Sequence, residues 1–452
     1  MKTRIILVRH GQSSFNLQGV IQGRCDESML TQAGRDQALK VSSALAGMTF
    51  DAIYSSPLQR ASETTELIVD ALKTTSADIP TPQFTDRLKE INLPLWEGIT
   101  FEEAKANFPQ AYDDWRNRPQ DFCMQLPKGE GFEAFFPVRS LYQQAQDFWR
   151  TLLSAHVGQT ILVVAHSAIN RALLSTAIGL GPEKFTSLQQ SNCAISVLNF
   201  ANGWEEPAQI ESINLTDHMG EPVPPMRKAY KGPRLLLVRH GETEWNRQQR
   251  FQGQIDVPLN ENGRVQGAKA AALLKTAPID AAVSSPLLRP KETAEMILQH
   301  HPAAPLTLES NLQEISHGEW EGKFAAEIEQ DYPGLLQQWQ QAPETVQMPG
   351  GENLQQVWDR AIAAWEEIVA ANSGFETPQT ILVAAHDAIN KAILCYVTGL
   401  GPEHFWCFKQ GNGAVSVIDY PNGAQSAPVL TAMNITTHLS EGILDRTAAG
   451  AL

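Results

Sequence analysis

Two histidines, His10 and His240, each stand between an arginine and a glycine at the end of a short apolar run. The runs read Leu7-Val8-Arg9-His10-Gly11 and Leu237-Val238-Arg239-His240-Gly241. Such a run is a buried strand, and the glycine lets the chain turn sharply and leaves the imidazole facing a cavity. A neutral imidazole nitrogen is a competent nucleophile toward phosphorus when the other ring nitrogen is held by a hydrogen bond. Phosphoryl transfer also needs positive charge on the equatorial oxygens and a proton for the leaving oxygen. Candidates for both recur. Arg9 and Arg239 flank the histidines, and Arg60 and Arg289 follow Ser-Ser-Pro turns, all offering planar forked donors. His166 and His386 close two further strands and add donors, while Glu90 and Glu314 are the candidate proton donors. Taken singly, each has an ordinary structural explanation. Five such motifs, in one order and twice in one chain, point to chemistry.

The repeat behind this pattern spans whole domains. Ser55-Ser56-Pro57-Leu58-Gln59-Arg60 recurs as Ser284-Ser285-Pro286-Leu287-Leu288-Arg289, and Leu88-Lys89-Glu90-Ile91 as Leu312-Gln313-Glu314-Ile315. Ala165-His166-Ser167-Ala168-Ile169-Asn170 recurs as Ala385-His386-Asp387-Ala388-Ile389-Asn390. The expected organisation is a first domain over 1–220, a Pro-rich semi-rigid linker over 221–233, a second domain over 234–442, and a loosely held tail over 443–452. Within each copy, β-branched runs such as Ile161-Leu162-Val163-Val164 alternate with helical stretches. That alternation predicts an α/β sandwich with a largely parallel sheet, whose ligands bind at the carboxyl ends of the strands.

Composition narrows the setting. Thirty-five basic against fifty acidic residues give a net charge of -15. This balance excludes a general nucleic-acid binder, which needs a basic footprint, but not anionic small substrates, since a site can be locally basic. Five scattered cysteines without a Cys-x-x-Cys pair fit neither a disulfide framework nor a zinc site. No stretch approaches the length of a membrane span, and a cytoplasmic location is expected.

The sequence resembles the histidine phosphatase superfamily, also called phosphoglycerate mutase-like, over nearly its whole length. The second copy adds Glu242-Thr243-Glu244-Trp245-Asn246, Gly253, Asp256, Pro258-Leu259 and Gly263 in the family's positions. The resemblance implies two three-layer α/β/α domains. It implies that His10 and His240 are phosphorylated, with Arg9, Asn16, Arg60 and His166 holding phosphate in the first site and Arg239, Asn246, Arg289 and His386 in the second. Glu90 and Glu314 would act as acid and then base. Neither a metal nor an organic cofactor is implied. The segments after Glu90 and Glu314 resemble the phosphatase branch more than the mutases. The fused form is similar to tandem members of photosynthetic organisms that clear sugar-phosphate inhibitors of Rubisco. Small sugar phosphates, 2-carboxyarabinitol 1-phosphate among them, are therefore the expected substrates. A monomer or loose dimer is expected. Alternatives are a phosphoglycerate mutase, a protein phosphatase, or a phosphate-pocket scaffold with one or both domains silent.

The copies differ around the site. Gln12 replaces Glu242, Pro94 replaces Gly318, and Pro127-Lys128-Gly129-Glu130 only partly matches Pro349-Gly350-Gly351-Glu352. Ser167 faces Asp387 in the comparison, and a carboxylate there is unfavourable for phosphate unless it points away or orients His386.

Overall fold

The computed structural model describes residues 2–448. The chain divides into two compact units, 1–222 and 223–452.

In the first unit the strands are β1 (Thr3–Arg9), β2 (Ala52–Ser55), β3 (Gln83–Phe84), β4 (Met124–Lys128), β5 (Gly131–Phe135), β6 (Thr160–Ala165), β7 (Ile195–Phe200) and β8 (Gln209–Leu215). The sheet order is β3-β2-β6-β1-β7-β8, with β4 and β5 forming a separate hairpin. The β2–β3, β2–β6 and β1–β6 pairs are parallel, and β7 runs antiparallel to both neighbours. Ile5, Ile6, Leu7 and Val8 of β1 and Ile161 to Ala165 of β6 are fully buried, as the central strands of a sheet covered by helices on both faces must be.

The second unit repeats this with β9 (Arg234–Arg239), β10 (Ala281–Ser284), β11 (Leu306–Leu308), β12 (Thr380–Ala385), β13 (Val415–Asp419) and β14 (Val429–Ile435). Its order is β11-β10-β12-β9-β13-β14, again parallel except for β13. The mixed α/β architecture expected from the sequence is the observed one.

Amphipathic helices seal the faces. The helix Pro137–Ala155 buries Val138, Leu141, Tyr142, Ala145, Phe148, Trp149, Leu152 and Leu153, a spacing of three and four residues. Trp149 also donates its indole N–H to the Leu173 carbonyl. Thr31 and Asn260 cap helices Gln32–Ala44 and Glu261–Leu274, accepting from the amides of Gly34 and Gly263. These caps matter to the site. The turn after His10 passes so close to the helix start that a Cβ on Gly11 would lie 2.3 Å from the Gly34 carbonyl oxygen. Gly241 and Gly263 make the same approach, also at 2.3 Å.

Two segments differ from expectation. The stretch after Val223 does not stand off as a spacer. Tyr230 is buried, Lys231 N donates to the Pro421 carbonyl, and Arg234 donates to the Pro224 carbonyl. The segment from Ile443 is not loose either. Ile443 is buried, Asp445 pairs with Lys409 at 3.3 Å, and the Asn412 amide donates to the Thr447 hydroxyl. The rest of the expected tail, 449–452, lies outside the described residues. All five cysteines are free thiols. Among the described residues no helix is long and apolar enough to cross a membrane.

Candidate active site

The register Arg9↔Ala165 places the ends of β1 and β6 side by side, so the residues that follow, His10 and His166, meet. Their ring centroids lie 5.0 Å apart. In the second unit Arg239↔Ala385 does the same, and His240 and His386 lie 5.2 Å apart.

The first histidine of each pair is fixed as one tautomer. His10 Nδ1 lies 2.7 Å from the Gly11 carbonyl and His240 Nδ1 lies 2.7 Å from that of Gly241. A carbonyl only accepts, so Nδ1 carries the proton and Nε2 the lone pair. Burial, followed by the two neighbouring arginines, pushes both imidazoles well below their ordinary range, so the rings are neutral. Arg289 Nε donates to His240 Nε2 at 3.3 Å, which marks the lone pair directly.

Arg60 and Arg289 enter on the first turn of helices Gln59–Lys73 and Leu288–Leu298 and are buried. Backbone carbonyls hold both forks: Gly23 and Cys25 accept from Arg60, and Gly253 and Ile255 from Arg289. Arg9 and Arg239 donate to the carbonyls of Gln190 and Gln410. His166 and His386 are held through Nε2 by Ser56 and Ser285, at 2.8 and 2.9 Å. The Nδ1 of each is buried without a hydrogen-bond partner, leaving it to face an added oxygen.

Glu90 accepts from the amides of Ile91, Ala168 and Ile169, and Glu314 from Ile315, Asp387 and Ala388. Each therefore caps the first turn of a helix that begins after the second histidine. Burial, then Asp387, raises Glu314 above the usual carboxylate range. Asn16 Oδ1 accepts from Ser13 and Asn192, and Asn246 Oδ1 from Thr243 and Asn412, so their amide NH2 groups are the ones left to donate. A cavity of about 200 Å³ opens onto this array in the first unit. Its polar lining includes Arg9, His10, Asn16, Arg60, Glu90, Ser167 and Arg171, and its apolar lining includes Trp115 and Phe185.

All twelve residues singled out from the sequence thus fall into two matching clusters. Asn192 and Asn412, which also donate to the His10 and His240 carbonyls, were missed. Their signal was a further repeat, Gln190-Ser191-Asn192-Cys193-Ala194 against Gln410-Gly411-Asn412-Gly413-Ala414. His218 and His438 are structural, each bonded to a backbone carbonyl. His317 stands where the first unit has Leu93. It is fully buried with neither ring nitrogen partnered, and burial pushes it down to about 3.

The family profile of the histidine phosphatase superfamily (branch 1) matches residues 5–213 and 235–435, once in each unit. The chain belongs to that superfamily and is a phosphoric monoester hydrolase. It is 31% identical over 444 residues to 2-carboxy-D-arabinitol-1-phosphatase of Triticum aestivum, covering 96% of this chain and 86% of that protein. A probable 2-carboxy-D-arabinitol-1-phosphatase of Arabidopsis thaliana is 31% identical over 450 residues, 96% of this chain and 88% of that one. Phosphoserine phosphatase 1 of Hydrogenobacter thermophilus is 34% identical over 208 residues, 46% of this chain and 95% of that protein.

Proposed function

We propose that both units hydrolyse small phosphomonoesters, sugar phosphates foremost, each through a phosphohistidine of its own. One observation carries this reading: in both units a neutral histidine is locked by Nδ1 with its Nε2 lone pair set among buried arginines. In the first step Nε2 of His10 or His240 attacks phosphorus. The bond to the ester oxygen breaks as Glu90 or Glu314 gives that oxygen a proton. Arg9, Asn16, Arg60 and His166, or Arg239, Asn246, Arg289 and His386, hold the equatorial oxygens. In the second step water attacks the phosphorus and gives a proton back to the glutamate, and the P–N electrons return to Nε2.

Relatives that match 96% of this chain are named for 2-carboxy-D-arabinitol 1-phosphate, which makes phosphorylated sugar acids the first substrates to test. A small phosphorylated metabolite is the partner this site fits. The test is steady-state phosphate release by His10→Ala, His240→Ala and the double variant across a panel of sugar phosphates and phosphorylated acids. Each single variant is expected to keep the activity of the other unit and the double variant to lose all turnover. Full activity in the double variant would contradict the reading, and full loss from either single substitution would reduce the chain to one working site.

A further inference from the structure

The two units differ in charge beside the second histidine. Ser167 and Asp387 occupy the same position, the first residue of the helix after the second histidine. The Asp387 carboxylate does not point away. Its Oδ1 lies 3.4 Å from Arg239 and its Oδ2 lies 2.8 Å from Lys391, with the side chain buried. Both partners are pocket groups: Arg239 is a phosphate ligand in the proposed mechanism, and Lys391 is the counterpart of Arg171, which lines the first cavity. Further along the chain Glu183 and Glu403 also correspond. Residue 387 thus adds a buried carboxylate where residue 167 has a hydroxyl. Among the residues lining the first cavity, three arginines face one carboxylate, Glu90.

We infer that this exchange divides the substrates between the units: the first accepts phosphomonoesters with a second anionic group, and Asp387 excludes them from the second. The inference rests on the phosphatase reading of both sites. A phosphate dianion alone is met in both pockets by two arginines and a histidine. A further carboxylate or phosphate on the substrate meets a serine at position 167 in the first unit, in a cavity lined by Arg9, Arg60 and Arg171. In the second it meets a buried carboxylate that already occupies Arg239 and Lys391, and like charges in a poorly solvated site repel strongly.

The test compares two near-isosteric esters, 3-phosphoglycerate and glycerol 3-phosphate, with fructose 1,6-bisphosphate and fructose 6-phosphate as the phosphate counterparts. The ratio of kcat/KM, anionic over neutral, is measured in the full chain with His240→Ala (first unit working) and with His10→Ala (second unit working). The ratio is expected to be about tenfold or more higher for the first unit. Adding Asp387→Ser or the near-isosteric Asp387→Asn to the His10→Ala chain is expected to raise the ratio toward that of the first unit. Adding Ser167→Asp to the His240→Ala chain is expected to lower it. Equal ratios for the two units, or ratios unmoved by these exchanges, would overturn the inference while leaving the phosphatase reading intact. A single-site chain that hydrolyses none of the four esters would remove the phosphatase reading from that unit, and the inference with it.

Discussion

The loop that carries the acid is held in both units, but by opposite means. In the first unit Arg24 donates to the Glu90 carbonyl, while Gln144 donates to the carbonyls of Arg87 and Lys89. In the second the arginine stands on the helix Leu354–Ala371: Arg360 donates to the carbonyls of Asn311, Gln313 and Glu314, and Gln254 to that of Glu314. Arg360 is itself paired with Glu352, whose carboxylate accepts from the Ser316 amide. That arrangement needs the Pro349–Glu352 turn pressed against the loop. Gly318, at φ +56°, allows it, since a Cβ there would lie 2.2 Å from the Pro349 carbonyl oxygen. Pro94, the counterpart, is locked near a φ of about −65° and cannot take that conformation. The first unit fills the same stretch with the β4–β5 hairpin instead. The positions of the reacting groups are thus retained while the scaffold that holds them is exchanged.

The largest expected effect tests whether the two acids remain equivalent despite their different supports. In the corresponding single-site chains, Glu90→Gln and Glu314→Gln should each lower kcat for alkyl phosphates by roughly 10²- to 10⁴-fold. The loss should be much smaller for p-nitrophenyl phosphate, whose leaving group needs no proton. Equal losses for both esters would contradict the role of acid. The raised Glu314 stays protonated to higher pH than an ordinary carboxylate, so activity of the second unit should decline on an alkaline limb that Asp387→Asn moves to lower pH.

A smaller effect separates the units in acid. His317 has an ordinary value of 6.5 when unfolded and about 3 when folded. Its neutral burial is therefore fully compatible with folding above pH 6.5, and stability is lost as pH falls from there toward 3. At pH 5 the loss is about 2 kcal/mol. His317→Leu should remove that increment from the difference between urea unfolding at pH 8 and pH 5, and Leu93→His should introduce one. An acid loss unchanged by His317→Leu would show that this histidine is not buried neutral.

The smallest effect concerns the segment Ile443 to Thr447 of the second unit. Asp445 bonds Lys409 and Asn434 behind the loop that carries Asn412. It fits because residue 411 is glycine: a Cβ there would lie 2.8 Å from Asp445 Oδ2. In the first unit Ser191 stands at that position and its own hydroxyl accepts from Asn214. Asp445→Ala should lower turnover by the second unit about tenfold, roughly 1.4 kcal/mol, and leave the first unit unaffected. Equal loss in both units, or none, would contradict a local role.

Much of the site was legible because its groups sit at strand ends. Arg-His-Gly and Ala-His mark the carboxyl ends of neighbouring parallel strands, and the parallel register alone brings them together. The glutamates were legible only through their repeat, since nothing local says that a loop carboxylate will cap a distant helix. Asp387 was visible as a departure, but its orientation depends on Arg239 and Lys391 meeting it in space. The docked segment at Asp445 left no trace, because a short extended stretch has no periodicity and its partners lie on another loop. Asn192 and Asn412 were within reach of the repeat.

The central claim is two complete phosphohistidine sites in one chain. Its most direct test is to quench the full-length protein in alkali during turnover of a phosphomonoester and map phosphohistidine by mass spectrometry. Phosphate on both His10 and His240, confined to His240 in the His10→Ala chain and to His10 in the His240→Ala chain, is the predicted result. Phosphate on neither histidine during active turnover would contradict the account.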